Sequence, residues 1–138
     1  MSDMQIGKGL TIFILDDEKD ICQYVKEFFV KRGFKVTTAL NSKAAVSAIK
    51  KIKPHIALLD IRLSEKDKTG LDVLKAVREK HPDCYCVMVT YMDDEGIVKQ
   101  AMDIGAIDYL KKPLTLPEIE RTINKIVKKV RKGGKGNG

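Results

Sequence analysis

Thr11-Ile12-Phe13-Ile14-Leu15-Asp16-Asp17 is an apolar run of strand length that stops on two carboxylates. A continuous apolar run rich in β-branched and aromatic residues reads as a strand buried on both faces, the habit of parallel sheets flanked by helices. Three later runs end in the same way: Leu59 meets Asp60, Val89 meets Thr90, and Leu110 meets Lys111-Lys112. In an open α/β sheet the functional site lies at the carboxyl ends of the strands. The recurrence therefore predicts that Asp16, Asp17, Asp60, Thr90 and a lysine converge on one spot. Carboxylates, a hydroxyl and an ammonium brought together form a cation and phosphoryl site.

Outward from these runs, strand-like and helix-period segments alternate, which predicts an α/β fold with a doubly wound parallel sheet and helices on both faces. Strands are expected at Thr11-Leu15, Lys35-Ala39, Ile56-Leu59, Tyr85-Val89 and Asp108-Leu110. The first helix follows Asp17, buries Ile21, Val25, Phe28 and Phe29, and stops at Gly33, a residue suited to the left-handed cap. The second runs from Asn41-Ser42 through Ala45, Ala48, Ile49 and Ile52 to Pro54. The third opens near Thr69-Gly70 and packs Leu71, Leu74 and Val77. The fourth takes Asp93, Asp94 and Glu95 as first-turn acids, buries Ile97, Val98, Ala101 and Met102, and closes at Gly105. The fifth has the clearest start, because Thr115 and Glu118 form a capping box around Pro117. Its apolar stripe is Leu116, Ile119, Ile123, Ile126, Val127 and Val130.

With 138 residues, 43% of them hydrophobic, the chain suits one core. The expected division is an extension over residues 1–10, one domain over 11–132, and a disordered tail or linker start over 133–138. Net charge is +7, but Arg121 to Lys135 hold seven basic residues and no acid. Removing those seven from 26 leaves 19 basic residues against 19 acidic, so the basic character belongs to the last helix and tail. That face reads as solvated; no helix-turn-helix or similar reader accompanies it, so direct nucleic-acid binding is not expected. Neither a membrane-length apolar run nor a signal-peptide core is present, which points to a cytoplasmic location. Three cysteines cannot all pair, and Cys22, Cys84 and Cys86 read as buried hydrophobes. His55 and His81 fall beside prolines in connecting segments and receive no chemistry.

Carboxylates gathered at one point repel by about 4 kcal/mol per pair at 4 Å for an effective dielectric of 20. Something positive must offset this. An oxygen-only ligand set suits a hard divalent cation, Mg2+ first and Mn2+ as the alternative. Asp60 is the natural nucleophile, since a carboxylate can form an acyl phosphate whose charge a metal and a lysine neutralise. Thr90 would donate to a phosphoryl oxygen, and Tyr109 could fill space vacated as Thr90 moves inward.

The ordered set Asp16-Asp17, Asp60, Thr90, Gly105-Ala106, Asp108-Tyr109-Leu110 and Lys112-Pro113 resembles the receiver domain of two-component response regulators from Thr11 to about Lys132. The resemblance implies a flavodoxin-like three-layer fold with strand order 2-1-3-4-5 and five helices. It implies that Asp60 accepts a phosphoryl group from a sensor histidine kinase or phosphotransfer protein. By the same likeness, Asp17 and Asp60 bind Mg2+ directly with the Arg62 carbonyl, and Asp16 acts through a coordinated water. Lys112 is aimed by a cis bond to Pro113. Thr90 and Tyr109 form the switch pair. The output surface is helix four, strand five and helix five, open to a homodimer, a protein effector, or an effector domain beyond the chain.

Residues 62–69 form a connection about two residues longer than the family pattern, and Tyr91 replaces a small residue. Tyr91, with Met92, is expected to restrict access to the phosphoryl site. Other readings remain open at this stage. Asp16-Asp17 could cap the first helix. An aspartyl-phosphate hydrolase of the haloacid-dehalogenase kind needs Asp-x-Asp, a spacing that Asp16-Asp17-Glu18 breaks. A phosphorylation-independent binding module would have no use for Asp60, Thr90 and Lys112 together. On the favoured reading the chain is not a conventional enzyme; it catalyses only its own phosphorylation and dephosphorylation.

Overall fold

The apolar runs pair into a single five-stranded parallel sheet of order β2-β1-β3-β4-β5. The computed structural model describes residues 5–61, 70–91 and 95–133. Its strands are β1 (Thr11–Leu15), β2 (Lys35–Ala39), β3 (Ile56–Asp60), β4 (Tyr85–Thr90) and β5 (Asp108–Lys111). The helices between and after them are α1 (Lys19–Val30), α2 (Ser42–Ile49), α3 (Gly70–Lys80), α4 (Glu95–Ile104) and α5 (Leu116–Gly133). Strand order reverses between β1 and β3, and that switch point opens the crevice in which such sheets hold their ligands.

Alternation along each strand divides the core between two faces. Phe13, Leu15, Leu59 and Met88 pack with Val73, Leu74 and Val77 of α3 and Ala101 of α4. On the opposite face Ile12, Ile14, Ile56 and Leu58 pack with Val25 and Phe29 of α1 and Ile119 and Ile123 of α5. Ile6 and Leu10, ahead of β1, join the second cluster, and Arg131 of α5 donates to the Ile6 and Lys8 carbonyls.

Three strands run one residue further than the apolar pattern implies, taking in Asp60, Thr90 and Lys111. The ladder continues because backbone pairing is indifferent to side-chain polarity: Asp60 pairs with Val89 and Thr90 with Lys111. The polar residues at these ends are thus held by the sheet itself. Behind β3, a Cβ on Gly70 would collide with the Asp60 carbonyl, so α3 can start there only with glycine.

Helix boundaries and burial differ from expectation in several places. At its end α2 stops at Ile49, and Lys50 and Lys51 bond back to Ser47 and Ala48, tightening the last turn before Pro54 is reached. Val73 of α3 is fully buried and Leu71 only half-buried. Ile21 and Phe28 are half-buried, while Cys22 takes an inner position on α1. Met102 of α4 is 41% exposed, whereas Ala101 is fully buried and Ile97 and Ile104 pack half-buried against the same core. Gly33 and Gly105 take positive φ values of 93° and 131°, closing α1 and α4 as expected. Thr115 and Glu118 form the capping box of α5.

Cys22, Cys84 and Cys86 are free and buried. His55 Nδ1 accepts the Thr11 N–H at 3.1 Å, and His81 Nε2 donates to the Ile49 carbonyl at 2.7 Å, so both histidines tie loops together. Among the described residues no helix is long and apolar enough to cross a membrane.

Candidate functional site

Lys112 follows β5 directly, and its backbone N–H donates to the Thr90 carbonyl at 2.7 Å, which fixes where its side chain begins. The Lys112-Pro113 peptide is cis. From there Nζ lies 3.0 Å from Asp16 Oδ2, 3.0 Å from Asp60 Oδ2 and 3.3 Å from Glu18 Oε2. The side chains of Lys112, Asp16 and Asp60 are 4%, 5% and 3% exposed, whereas Glu18 is 48% exposed. Burial by itself would lower the Lys112 pKa. Its hydrogen bonds and charge attraction to Asp60, and then to Asp16, outweigh burial and raise it. The ammonium is therefore a fixed positive charge between β1, β3 and β5.

Asp16, Asp17 and Glu18 bring carboxylate oxygens within 4.8 Å of one another at the end of β1. Asp16 has two separate duties. Its Oδ1 accepts the Glu18 N–H at 2.9 Å, turning the chain into α1, while Oδ2 faces Lys112. The Oδ1 bond goes to Glu18, the N-cap residue, and α1 has no side-chain cap among the described residues, so Asp16 shapes the turn without capping the helix. Cys22, whose thiol donates to the Asp16 carbonyl at 3.3 Å, is pushed up to about 11 by burial and by the Asp16 charge, which leaves it an unreactive thiol. Asp16, Glu18 and Asp60 contact one ammonium and Asp17 lies beside Asp16, so the formal charges of the cluster leave three negative in excess.

Thr90, 1% exposed, ends β4. Tyr91 leaves the strand and lies across the site: its ring centroid is 5.0 Å from Lys112 Nζ and its hydroxyl donates to Glu18 Oε2 at 3.5 Å. Tyr109 on β5 turns outward, 41% exposed.

The fold thus joins Asp16, Asp60 and Lys112 in one buried ion-pair network, sets Asp17 beside Asp16, and ends the adjacent β4 on Thr90. Of the two adjacent lysines, Lys111 is exposed and Lys112 is the one buried in this network. Arg62, Met92, Asp93, Asp94 and the lengthened 62–69 connection lie outside the described residues, as do residues 1–4 and 134–138. Glu18 is the member of the network that sequence reasoning passed over. Its signal was present as the third consecutive acid after β1, yet the spacing alone gives no indication that its longer side chain turns back over Lys112.

The response regulator receiver domain model matches residues 12–124. The photosynthetic apparatus regulatory protein RegA of Cereibacter sphaeroides is 30% identical over 119 residues, covering 86% of this chain and 64% of the relative. A two-component response regulator from Clostridium difficile superposes with a TM-score of 0.81 at 30% identity, covering 88% of this chain and 98% of that one. A CheY-like response regulator receiver domain protein from Methanospirillum hungatei gives a TM-score of 0.81 at 26% identity, over 90% and 98% of the two chains. Curated relatives such as RegA are longer, and the chain spans less than two thirds of their length. With the sheet order, the acidic cluster and the buried lysine already in place, the match over 12–124 settles the family: the chain belongs to the response regulator receiver domains.

Proposed function

We propose that the chain is a phospho-accepting switch in which Asp60 receives a phosphoryl group from the phosphohistidine of a sensor kinase or phosphotransfer protein. One observation carries the reading: Lys112 Nζ lies 3.0 Å from both Asp16 and Asp60, at the carboxyl ends of strands that enclose the switch point of the sheet. An Asp60 oxygen attacks phosphorus, the P–N bond breaks, and the histidine nitrogen leaves with the electron pair and is protonated from solvent. Water later attacks the same phosphorus, releasing phosphate and restoring the Asp60 carboxylate. Lys112 balances charge on the phosphoryl oxygens and Thr90 donates a hydrogen bond to one of them.

The donor set fits a hard cation, since it is made of carboxylate oxygens with three negative charges in excess. Asp17, Asp60 and the Arg62 carbonyl would hold Mg2+ directly, Asp16 through water, with Mn2+ as the alternative. Bound there, the cation would neutralise charge on the transferring phosphoryl group.

Output is expected at α4, β5 and α5, where Met102 and Tyr109 each leave a large side chain 41% exposed. A homodimer, a protein effector or an attached effector domain would dock there in a cytoplasmic phosphorelay. Movement of Thr90 and Tyr109 would couple the two ends.

Incubation with a small-molecule phosphodonor and Mg2+, read by intact mass, tests this. Accumulation of one acid-labile phosphoryl group per chain is expected. Steady turnover of the donor without accumulation would indicate a hydrolase, and no gain a phosphate-independent module. Tyr91→Ala should shorten the lifetime of the phosphorylated form by roughly twofold to fivefold, the scale of a contact worth about 0.5–1 kcal/mol. An unchanged decay would remove Tyr91 from the role of water shield.

A further inference from the structure

Lys112 carries an ammonium group, which has three N–H donors and no acceptor. In this structure three carboxylates take them: Asp16 and Asp60 at 3.0 Å and Glu18 at 3.3 Å. An arriving phosphoryl oxygen can gain a hydrogen bond from Lys112 only if one of these partners lets go. The three differ in what release costs. Asp16, 5% exposed, would be left buried without its counter-charge, and Asp60, 3% exposed, keeps its own charge until the acyl bond forms. Glu18 is 48% exposed, makes the longest of the three contacts, and would return its carboxylate to water. Glu18 also accepts from the Tyr91 hydroxyl at 3.5 Å, and the Tyr91 ring lies 5.0 Å from the same Nζ. One carboxylate therefore ties the β1 end of the site to the β4 end across the top of Lys112.

We propose that Glu18 is a positioning residue, a latch that holds Lys112 and Tyr91 over the unphosphorylated site and that the incoming phosphoryl group must displace. The inference rests on the reading of Asp60 as phospho-acceptor. Glu18 sets how readily the resting site opens, while Asp60 decides whether chemistry occurs. Releasing the latch frees one Lys112 donor and the Tyr91 hydroxyl in the same step, while the Tyr91 ring keeps its place over Lys112.

The test compares wild type, Glu18→Gln, Tyr91→Phe and the double variant in the full chain, each at a Mg2+ concentration shown by titration to saturate it. Beryllofluoride, a phosphoryl mimic, is titrated by fluorine NMR, and the phosphorylation rate with a small-molecule donor is followed by intact mass. Glu18→Gln should bind beryllofluoride about 1.5-fold to fivefold more tightly and phosphorylate faster in proportion, the range expected for a half-exposed ion pair. Tyr91→Phe, which keeps the ring and removes the hydroxyl, should shift affinity the same way by less. The double variant should gain no more than Glu18→Gln alone, because both act through one carboxylate. A Glu18 with a merely structural role would lower affinity or melting temperature when replaced; the latch predicts a gain at unchanged melting temperature. Wild type that takes up beryllofluoride and phosphoryl while Glu18→Gln equals or falls below it overturns the latch alone. Wild type that takes up neither overturns the Asp60 reading, and the latch with it.

Discussion

Asp60→Asn should fold as wild type does and gain no phosphoryl mass under conditions that phosphorylate the parent chain. The loss is expected to be complete, because a neutral amide oxygen is not a nucleophile that forms an acyl phosphate. Folding should survive for an electrostatic reason. The substitution removes one of three carboxylates in contact with a single ammonium, with Asp17 close by, and Lys112 keeps Asp16 at 3.0 Å and Glu18 at 3.3 Å. Relief of repulsion within that cluster opposes the loss of the Asp60 ion pair, so the melting temperature should not fall, provided Mg2+ is absent. With millimolar Mg2+ the order should reverse, since the variant has lost a ligand and gains less from mass action. An equal, acid-labile mass gain in Asp60→Asn would place the nucleophile on another residue. A large fall in melting temperature without Mg2+ would mean that the Asp60–Lys112 pair outweighs the repulsion around it.

Strand identity was legible because a run such as Ile12-Phe13-Ile14-Leu15 can be buried on both faces only inside a helix-flanked parallel sheet. The polar residues ending each run then fell at one rim by topology alone. Where a strand stops was less legible: the ladder extends through Asp60 and Thr90, and side-chain pattern carries no record of backbone pairing. Met102 shows a second limit. It lies at helical spacing from Val98, yet it is 41% exposed while neighbouring Ala101 fills the core. Periodicity places a face to within about one residue's rotation, and in α4 the fully buried position falls on Ala101, one residue before Met102. Glu18 shows a third. Its identity was plain, but its contact with Lys112 spans 94 positions and depends on the direction of the β1–α1 turn, which Asp16 Oδ1 sets.

Lys112→Ala should be the most destabilising of the site variants, because it deletes the buried cation and leaves Asp16 and Asp60 facing each other at 5% and 3% exposure. Removing one partner of a buried ion pair costs about 3–5 kcal/mol, which for a chain of this size lowers the melting temperature by roughly 10–20 °C. Mg2+ should recover much of this. A divalent cation among the same carboxylates replaces the lost charge, so the Mg2+-induced rise in melting temperature should be larger in the variant than in wild type. The pH dependence follows from the raised Lys112 pKa. A group whose folded pKa exceeds its unfolded value of 10.5 contributes fully below that pH and loses its contribution as pH climbs through the folded value. The stability gap between wild type and Lys112→Ala should therefore hold steady from neutral pH to about 10.5 and narrow above it. Signalling should fail for a separate reason: the variant can bind Mg2+, but no ammonium draws the phosphoryl oxygens toward Thr90. Phosphate-dependent binding at α4, β5 and α5 should be absent even in chains that carry phosphate. A normal phosphate response would remove Lys112 from the switch, and a melting temperature insensitive to both Mg2+ and the substitution would dissolve the charge balance on which the site depends.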